Sequence, residues 1–246
     1  MGNAEKCPRF YCSDLSGQSV ALPPDETHHA RHVLRLGGGD AVELFDGKGA
    51  IARGHIVQLG RTSAEVAVDD LQRVGRSEPL VHVGFGVPKG KRLDWLLEKA
   101  TELGAASLQP VLFERSVAGS DELSANTHSR WLGHCIAAAK QCVLNYLPEI
   151  RQPLAVWQLP KAWQGQLNVL GEIDPSALSL RDVLATWTGG REIGIIIGPE
   201  GDLTPAEKTV LGKAGFLPAR LGHTIMRVET AAIALLAGTV ALCHGR

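Results

Sequence analysis

Between Ile193 and Gly201 the chain reads Ile-Gly-Ile-Ile-Ile-Gly-Pro-Glu-Gly, an apolar run that stops at a glycine-bounded turn. A run with no polar side chain on either face suits the centre of a parallel sheet covered by helices on both sides. Thr204-Pro205-Ala206-Glu207 then carries a complete helix start: threonine as N-cap, proline at the first position and glutamate closing the capping box. The turn 198–203 is thereby fixed between a strand and a helix. Gly215 ends that helix and Phe216 to Leu221 forms the next strand. A second loop, from Leu221-Gly222 to Arg227, leads into a closing helix from Val228 to Cys243. Two backbone-rich loops at strand ends form a ligand site.

Upstream the pattern changes. Asp40 to Phe45, Ala50 to Val57 and Ser63 to Val68 alternate with the two-residue period of half-buried strands, and Asp46-Gly47 is a hairpin signal. Such strands close into a small barrel over residues 1–76, interrupted by a helix from Pro24 to Leu36 that Gly37-Gly38-Gly39 stops. After a linker at Gly75 to Pro79, a strand through Val81, Val83, Phe85 and Val87 is followed by helical spacing from Leu93 to a capping Gly104, and by a strand from Ser107 to Leu112. This β-α-β unit opens a second domain, residues 77–246, with a further long helix from about Asn126 to Leu144 that Pro148 closes. The fold class is α/β, with a β-barrel in front.

Charge and cysteines narrow the function. The formal net charge is −1, with 9 basic against 10 acidic residues up to Arg76 and 16 against 16 after it, so any nucleic-acid contact comes from a local patch. Five scattered cysteines without a Cys-x-x-Cys are expected to be reduced packing thiols, neither a disulfide framework nor a zinc site. No apolar run is long enough for a membrane span, and Met1 to Lys6 does not open a signal peptide. The expectation is a cytoplasmic protein with no membrane segment and no metal.

Neither loop has the spacing of a P-loop or a dinucleotide fingerprint, which disfavours a pyrophosphate cofactor. Gly198, Gly201 and Gly222 let the backbone approach a ligand, Pro199 stiffens the turn, and Ile225 and Met226 offer apolar contact to a flat ring. His28, His32 and Arg35 fall on one helical face with Arg31 beside them; together with Arg9, Lys89, Lys91 and Arg92 they are candidates for phosphate contact. Asp94, Glu98 and Glu102 share a face with Lys91, Arg92 and Lys99 and read as a solvated, paired surface. The five tryptophans read as packing residues.

Gly198-Pro199-Glu200-Gly201 followed by Leu221-Gly222-x-x-Ile225-x-Arg227-x-Glu229-Thr230-Ala231 resembles the ribosomal RNA small subunit methyltransferase E family, of the knotted SPOUT class. Pro8-Arg9-Phe10-Tyr11, His28-His29, Val33-Leu34-Arg35-Leu36, Leu44-Phe45-Asp46-Gly47, Lys99-x-x-Glu102-Leu103-Gly104, Glu114-Arg115-Ser116 and Pro148-Glu149-Ile150 extend the resemblance over almost the whole chain. It implies an N-terminal PUA-like RNA-binding barrel, a C-terminal SPOUT domain with a trefoil knot, a homodimer, and S-adenosylmethionine-dependent methylation of uridine N3 in 16S rRNA of the small ribosomal subunit.

On that resemblance the cofactor-binding residues are Leu170, Ile197, Gly198, Pro199, Glu200, Gly201, Leu221, Gly222, Ile225, Met226, Thr230 and Ala231. The N3 proton must leave before or during methyl transfer, so a base or a cation that stabilises the uracil anion is required. Arg227 is the candidate for anion stabilisation or phosphate contact, and Glu229 or Glu200 for orientation or proton removal. The RNA-binding set is Arg9, His28, His29, Arg31, Arg35, Lys89, Lys91 and Arg92.

Two departures stand out. The family commonly continues Gly-Pro-Glu-Gly with Gly-Phe, where this chain has Asp202-Leu203. It usually shows Glu-Gln, a small residue, Gly and Arg, where this chain has Lys140-Gln141-Cys142-Val143-Leu144. The alternatives that these leave open are a different RNA target and an RNA-binding dimer with impaired catalysis.

Overall fold

The computed structural model describes residues 7–116, 122–164 and 166–243; the signal-peptide reading of Met1 to Lys6 lies outside the described residues. The chain divides into two compact units, Met1–Arg76 with Ala139–Leu147, and Ser77–Ala138 with Pro148–Arg246.

In the first unit, β1 (Arg9–Tyr11), β2 (Ser19–Leu22), β3 (Ala41–Phe45), β4 (Ala50–Leu59) and β5 (Ala64–Arg73) form a five-stranded sheet in the order β1-β3-β4-β5-β2. Alternation puts Leu44, Ile56 and Val66 on one face, where they meet Phe10 and Leu22 in a buried apolar core. The register of β4 against β5 shifts twice, at Arg53/Gly54 and Ile56/Gln58, and such bulges bend a strand. The helix expected from Pro24 to Leu36 is shorter. Helix α1 (Pro24–His28) passes into a π turn, His29–Val33, in which the Leu34 amide donates to the His29 carbonyl five residues back. Arg35 then adopts φ 57° and ends it, so Arg35 leaves the helical register that placed it on one face with His28 and His32.

In the second unit, β6 (Leu80–Gly86), α2 (Lys91–Glu102), β7 (Ser107–Leu112) and α3 (Ala125–Cys142) are followed by two short strands, β8 (Glu149–Ile150) and β9 (Leu154–Ala155). Then come α4 (Leu159–Ala162), β10 (Leu167–Gly171), β11 (Leu178–Ser179), α5 (Leu180–Ala185), β12 (Glu192–Ile197), α6 (Pro205–Lys213), β13 (Phe216–Arg220) and α7 (Val228–Cys243). The sheet runs β11-β13-β10-β12-β6-β7-β8 with parallel pairings throughout, and β9 adds to β7. The central strand β12 is buried from Ile193 to Ile197, as its composition requires. Helix α7 packs on α2, α5, β6 and β12. The chain is therefore α/β, with a parallel sheet and a preceding β unit. Strands β10 and β11 and helices α4 and α5 did not stand out in the sequence.

Helix α3 ends before Pro148. The Leu144 amide donates to the Ala139 carbonyl around Val143 at φ 58°, a Schellman-type stop whose left-handed position glycine fills most easily. Val143 occupies the place where the resembling pattern has glycine. The residues after Ala138 group with the first unit and are tied there by side chains. Arg9 Nη2 donates to the Leu144 carbonyl (2.9 Å) and to Asn145 Oδ1 (2.6 Å). Lys140 Nζ pairs with Glu26 Oε2 at 2.5 Å, and Glu26 Oε1 accepts the Tyr11 amide. The lysine that replaces an expected acid thus has its own carboxylate.

Candidate functional site

A cavity of about 510 Å³ opens at the carboxyl ends of β10, β12 and β13, the usual place for a ligand in an open parallel sheet. Its walls come from three stretches: Gly171 to Ile173 after β10, the turn from Ile197 to Leu203, and the loop from Leu221 to Val228. Ala231 and Leu235 of α7 close it. The volume lies within the ~300–1,000 Å³ of small-molecule sites.

The turn is held rigidly by groups distant in sequence. Thr204 Oγ1 accepts the Glu207 amide, and Glu207 Oε2 accepts the Thr204 amide at 2.7 Å, so the capping box read from sequence is present. The Glu207 side chain is wholly buried, and its other oxygen accepts the Glu114 amide at 2.8 Å. Arg115 Nη1 donates to the Gly201 carbonyl at 3.1 Å. Glu114 and Arg115, just past the end of β7, therefore brace the turn. Lys208 on α6 joins Glu172 Oε2 (2.7 Å) to Asp202 Oδ2 (3.2 Å), linking two walls of the cavity. The two carboxylates hold the Lys208 ammonium above its usual range against the opposing effect of burial. Asp202 sits at φ 59° and accepts the Leu203 amide, so the residue replacing the family's glycine caps its own turn in a left-handed conformation.

The glycines of the two loops differ. A Cβ on Gly198 would collide with Leu203 Cδ1, and one on Gly201 would lie 3.0 Å from Arg115 Cβ, so protein packing accounts for both. A Cβ on Gly222 would meet nothing within 4 Å, and its φ is not left-handed. Gly222 lines the cavity, so a side chain there would fill the space a ligand takes.

Of the twelve cofactor candidates, nine line the cavity: Ile197, Gly198, Pro199, Glu200, Leu221, Gly222, Ile225, Met226 and Ala231. Leu170 is instead buried in the core with Val111, Ile196 and Phe216, and its successors Gly171, Glu172 and Ile173 face the cavity. Gly201 lies behind the turn, and Thr230 lines a smaller pocket with Lys91, Arg92, Trp95 and Glu229. Glu172 and Lys208 escaped the sequence reading because they sit next to the site only through the sheet order.

The three candidates for chemistry separate. Arg227 is exposed, lines the main cavity and makes no ion pair among the described residues. Arg227 and Glu229, two residues apart, form no ion pair. Glu229 is 7% exposed, and its Oε2 has no hydrogen-bond partner. Glu200 pairs with Arg92, so the arginine expected on a solvated face and in RNA contact is turned to the cavity turn. On that face Lys99 binds Glu98 and Glu102, and Asp94 meets His134.

The RNA candidates are also sorted by burial. Arg9 is 8% exposed, stacked 4.4 Å over the Phe45 ring and bonded to the 144–145 backbone and side chain, which withdraws it from any RNA-facing set. Burial pulls its guanidinium below the ordinary arginine value, and Glu43 opposes that pull. His28, His32 and Arg35 are exposed, Arg31 and His29 half-buried, and the His28 and His32 rings lie 4.7 Å apart. Burial, then Lys140, lowers the His29 imidazole below its usual value. Lys89 and Lys91 are exposed in the second unit. No group of three or more potential metal ligands occurs among the described residues.

An RNA methyltransferase domain family matches residues 76–239, and an RNA methyltransferase PUA domain family matches residues 22–69. The ribosomal RNA small subunit methyltransferase E of Mycobacterium bovis is 30% identical over 244 residues, 96% of this chain and 92% of that protein. Its counterpart from Bacillus subtilis is 29% identical over 238 residues, 90% and 91% of the two chains. A Legionella pneumophila protein solved in complex with the bound cofactor SAM matches the fold with a TM-score of 0.87 at 30% identity, covering 96% of this chain and 98% of that one. The ribosomal RNA small subunit methyltransferase E of Neisseria gonorrhoeae, bound to S-adenosyl methionine, gives 0.85 at 27% identity with the same coverage. With the matched domains, the full-length relatives and the parallel sheet in agreement, the chain belongs to the ribosomal RNA small subunit methyltransferase E family.

Proposed function

We infer that this chain methylates N3 of a uridine in 16S rRNA of the small ribosomal subunit, with S-adenosylmethionine as the methyl donor. The observation that carries the reading is the cavity at the ends of β10, β12 and β13, where Gly222 leaves room that no protein atom uses. Its residues fit the donor. Leu221, Ile225, Met226 and Ala231 offer apolar contact, and Gly198 and Gly222 offer backbone. When bound, S-adenosylmethionine supplies a methyl group on a positively charged sulfonium.

The chain's own residues meet the demand at N3. Arg227, unpaired and exposed at the cavity rim, stabilises the uracil anion. Glu229, buried with an unpartnered oxygen, takes the N3 proton. Glu200, held by Arg92, orients the turn. His28, His29, Arg31 and Arg35 of the first unit, and Lys89 and Lys91 of the second, contact phosphates, which position an RNA without reading its sequence. Trefoil threading, a homodimer and a cytoplasmic site of action belong to the same reading. Ile225, 88% exposed, and Leu221 are apolar side chains for a second copy to cover. No described helix is long and apolar enough to cross a membrane.

Calorimetry with S-adenosylmethionine, followed by mass spectrometry of 16S rRNA from cells with and without the gene, tests this. Expected are binding heat and a 3-methyluridine that disappears with the gene. A folded protein that gives no heat at millimolar donor, or an unchanged 3-methyluridine content, overturns it.

A further inference from the structure

The smaller pocket, lined by Lys91, Arg92, Trp95, Glu229 and Thr230, has a volume of about 260 Å³, below the range of pockets that take drug-sized ligands. That space suits one flat ring. Its chemistry is unusual for a packing defect. Glu229 is 93% buried by its 7% exposure, and its Oε2 has no protein donor. A buried carboxylate oxygen without a donor is costly. It stands in the first turn of α7, where free backbone amides favour negative charge. Across the pocket, α2 starts at Lys91 with no side-chain cap on its N-terminus, and it places two cations in its own first turn. Arg92 is taken up by Glu200, which leaves Lys91 as the cation free to face an acceptor in the pocket. Trp95, one turn on, keeps 41% of its surface exposed although most large apolar side chains of this unit are buried.

We propose that this pocket receives the target nucleobase and reads it as uracil: Glu229 accepts the N3 hydrogen, Lys91 donates to a flanking carbonyl oxygen, and the Trp95 indole stacks on the ring. The assignment rests on the uridine reading of the function and deepens it. The Watson–Crick edge of uracil presents acceptor, donor, acceptor. The pocket presents the complement, a carboxylate beside cationic donors. Cytosine, with an acceptor at N3, would face the Glu229 carboxylate with a lone pair and leave it without a donor. Glu229 thereby sets the choice of base, and Trp95, which stacks on any base, sets strength without choice.

Anisotropy titration of the full-length protein with fluorescein-labelled hexauridylate and hexacytidylate tests both roles, because the two oligomers carry equal charge and their phosphate terms cancel. The wild-type protein is expected to bind hexauridylate about tenfold more tightly, as a hydrogen bond to a charged acceptor allows. Glu229→Gln keeps the shape but adds a donor that cytosine N3 accepts, so the ratio should fall below about twofold. Trp95→Ala should weaken both oligomers by about fivefold or more at an unchanged ratio, and Trp95→Phe should restore binding. Calorimetric affinity for S-adenosylmethionine checks that each variant is folded. A wild-type protein without preference, or a preference that Glu229→Gln leaves intact, overturns the assignment. If N3 methylation of rRNA persists while the ratio ignores Glu229, only the pocket assignment fails. If the ratio depends on Glu229 and no N3 methylation occurs, the enzyme reading fails and the pocket stands.

Discussion

Arg92 Nη1 lies 3.4 Å from Glu200 Oε1, and through this pair the first turn of α2 holds the central residue of the Gly-Pro-Glu-Gly turn. Both side chains keep 35% of their surface in water, so screening limits what the pair contributes to folding. A double-mutant cycle on Arg92→Ala and Glu200→Ala, followed by urea denaturation, should give a coupling of about 0.2–1 kcal/mol. Donor affinity should fall more than stability does, because Glu200 lines the cavity. A coupling above about 2 kcal/mol would contradict the partial exposure seen here.

Gly198 and Gly222 should respond oppositely to alanine. Gly198→Ala forces a methyl into Leu203 and should destabilise the protein by about 1–3 kcal/mol. Gly222→Ala meets open space and should leave stability within about 0.5 kcal/mol, while S-adenosylmethionine binding weakens about tenfold or more. Thermal denaturation and calorimetry on the two variants check the contrast; equal donor affinity in Gly222→Ala would count against the cavity as the donor site.

Val143 is a β-branched residue at φ 58°, nearly half-exposed, so few contacts compensate its conformation. A left-handed non-glycine residue costs about 1–2 kcal/mol, and glycine returns about 0.5–1 kcal/mol of that as flexibility of the unfolded chain. Val143→Gly should therefore raise stability by roughly 1 kcal/mol, read as a higher urea midpoint. Asp202→Gly should gain less, since it also removes the bonds to the Leu203 amide and to Lys208.

Burial pushes the Cys135 thiol from 9.0 up to about 11. The folded state thus keeps the proton while the unfolded chain releases it. The contribution to stability is intact below about pH 9 and is lost as the pH rises through about 11. Between pH 8 and 10.5 the wild-type protein should lose roughly 1–2 kcal/mol more than Cys135→Ala does. In the native state at pH 8, a thiol reagent should label exposed Cys7 and spare buried Cys12, Cys135 and Cys243 until urea is added.

The elements that the sequence made legible are those whose signals are local. Ile193 to Ile197 had to be a central strand because both faces are apolar, and Thr204 to Glu207 had to start a helix because cap, proline and capping glutamate are adjacent. The helix after Pro24 misled because a π turn needs the same residues as an α-helix and differs only in which carbonyl each amide finds. Val143 and Asp202 looked like chemical departures. Both are glycine positions of the family pattern where this chain keeps the left-handed backbone and carries the side chain anyway.

By itself, the order of residues determined where strands meet helices, which loops carry glycine beside proline, and the family resemblance, because each depends on neighbours within a few positions. Partnership was decided only in three dimensions. Arg9 became a buried tie, Arg92 turned to Glu200, Lys208 joined Glu172 to Asp202, and Glu229 was left without a donor. Sheet order and helix docking bring together groups far apart in the chain, and the free energy of a charge depends on what surrounds it.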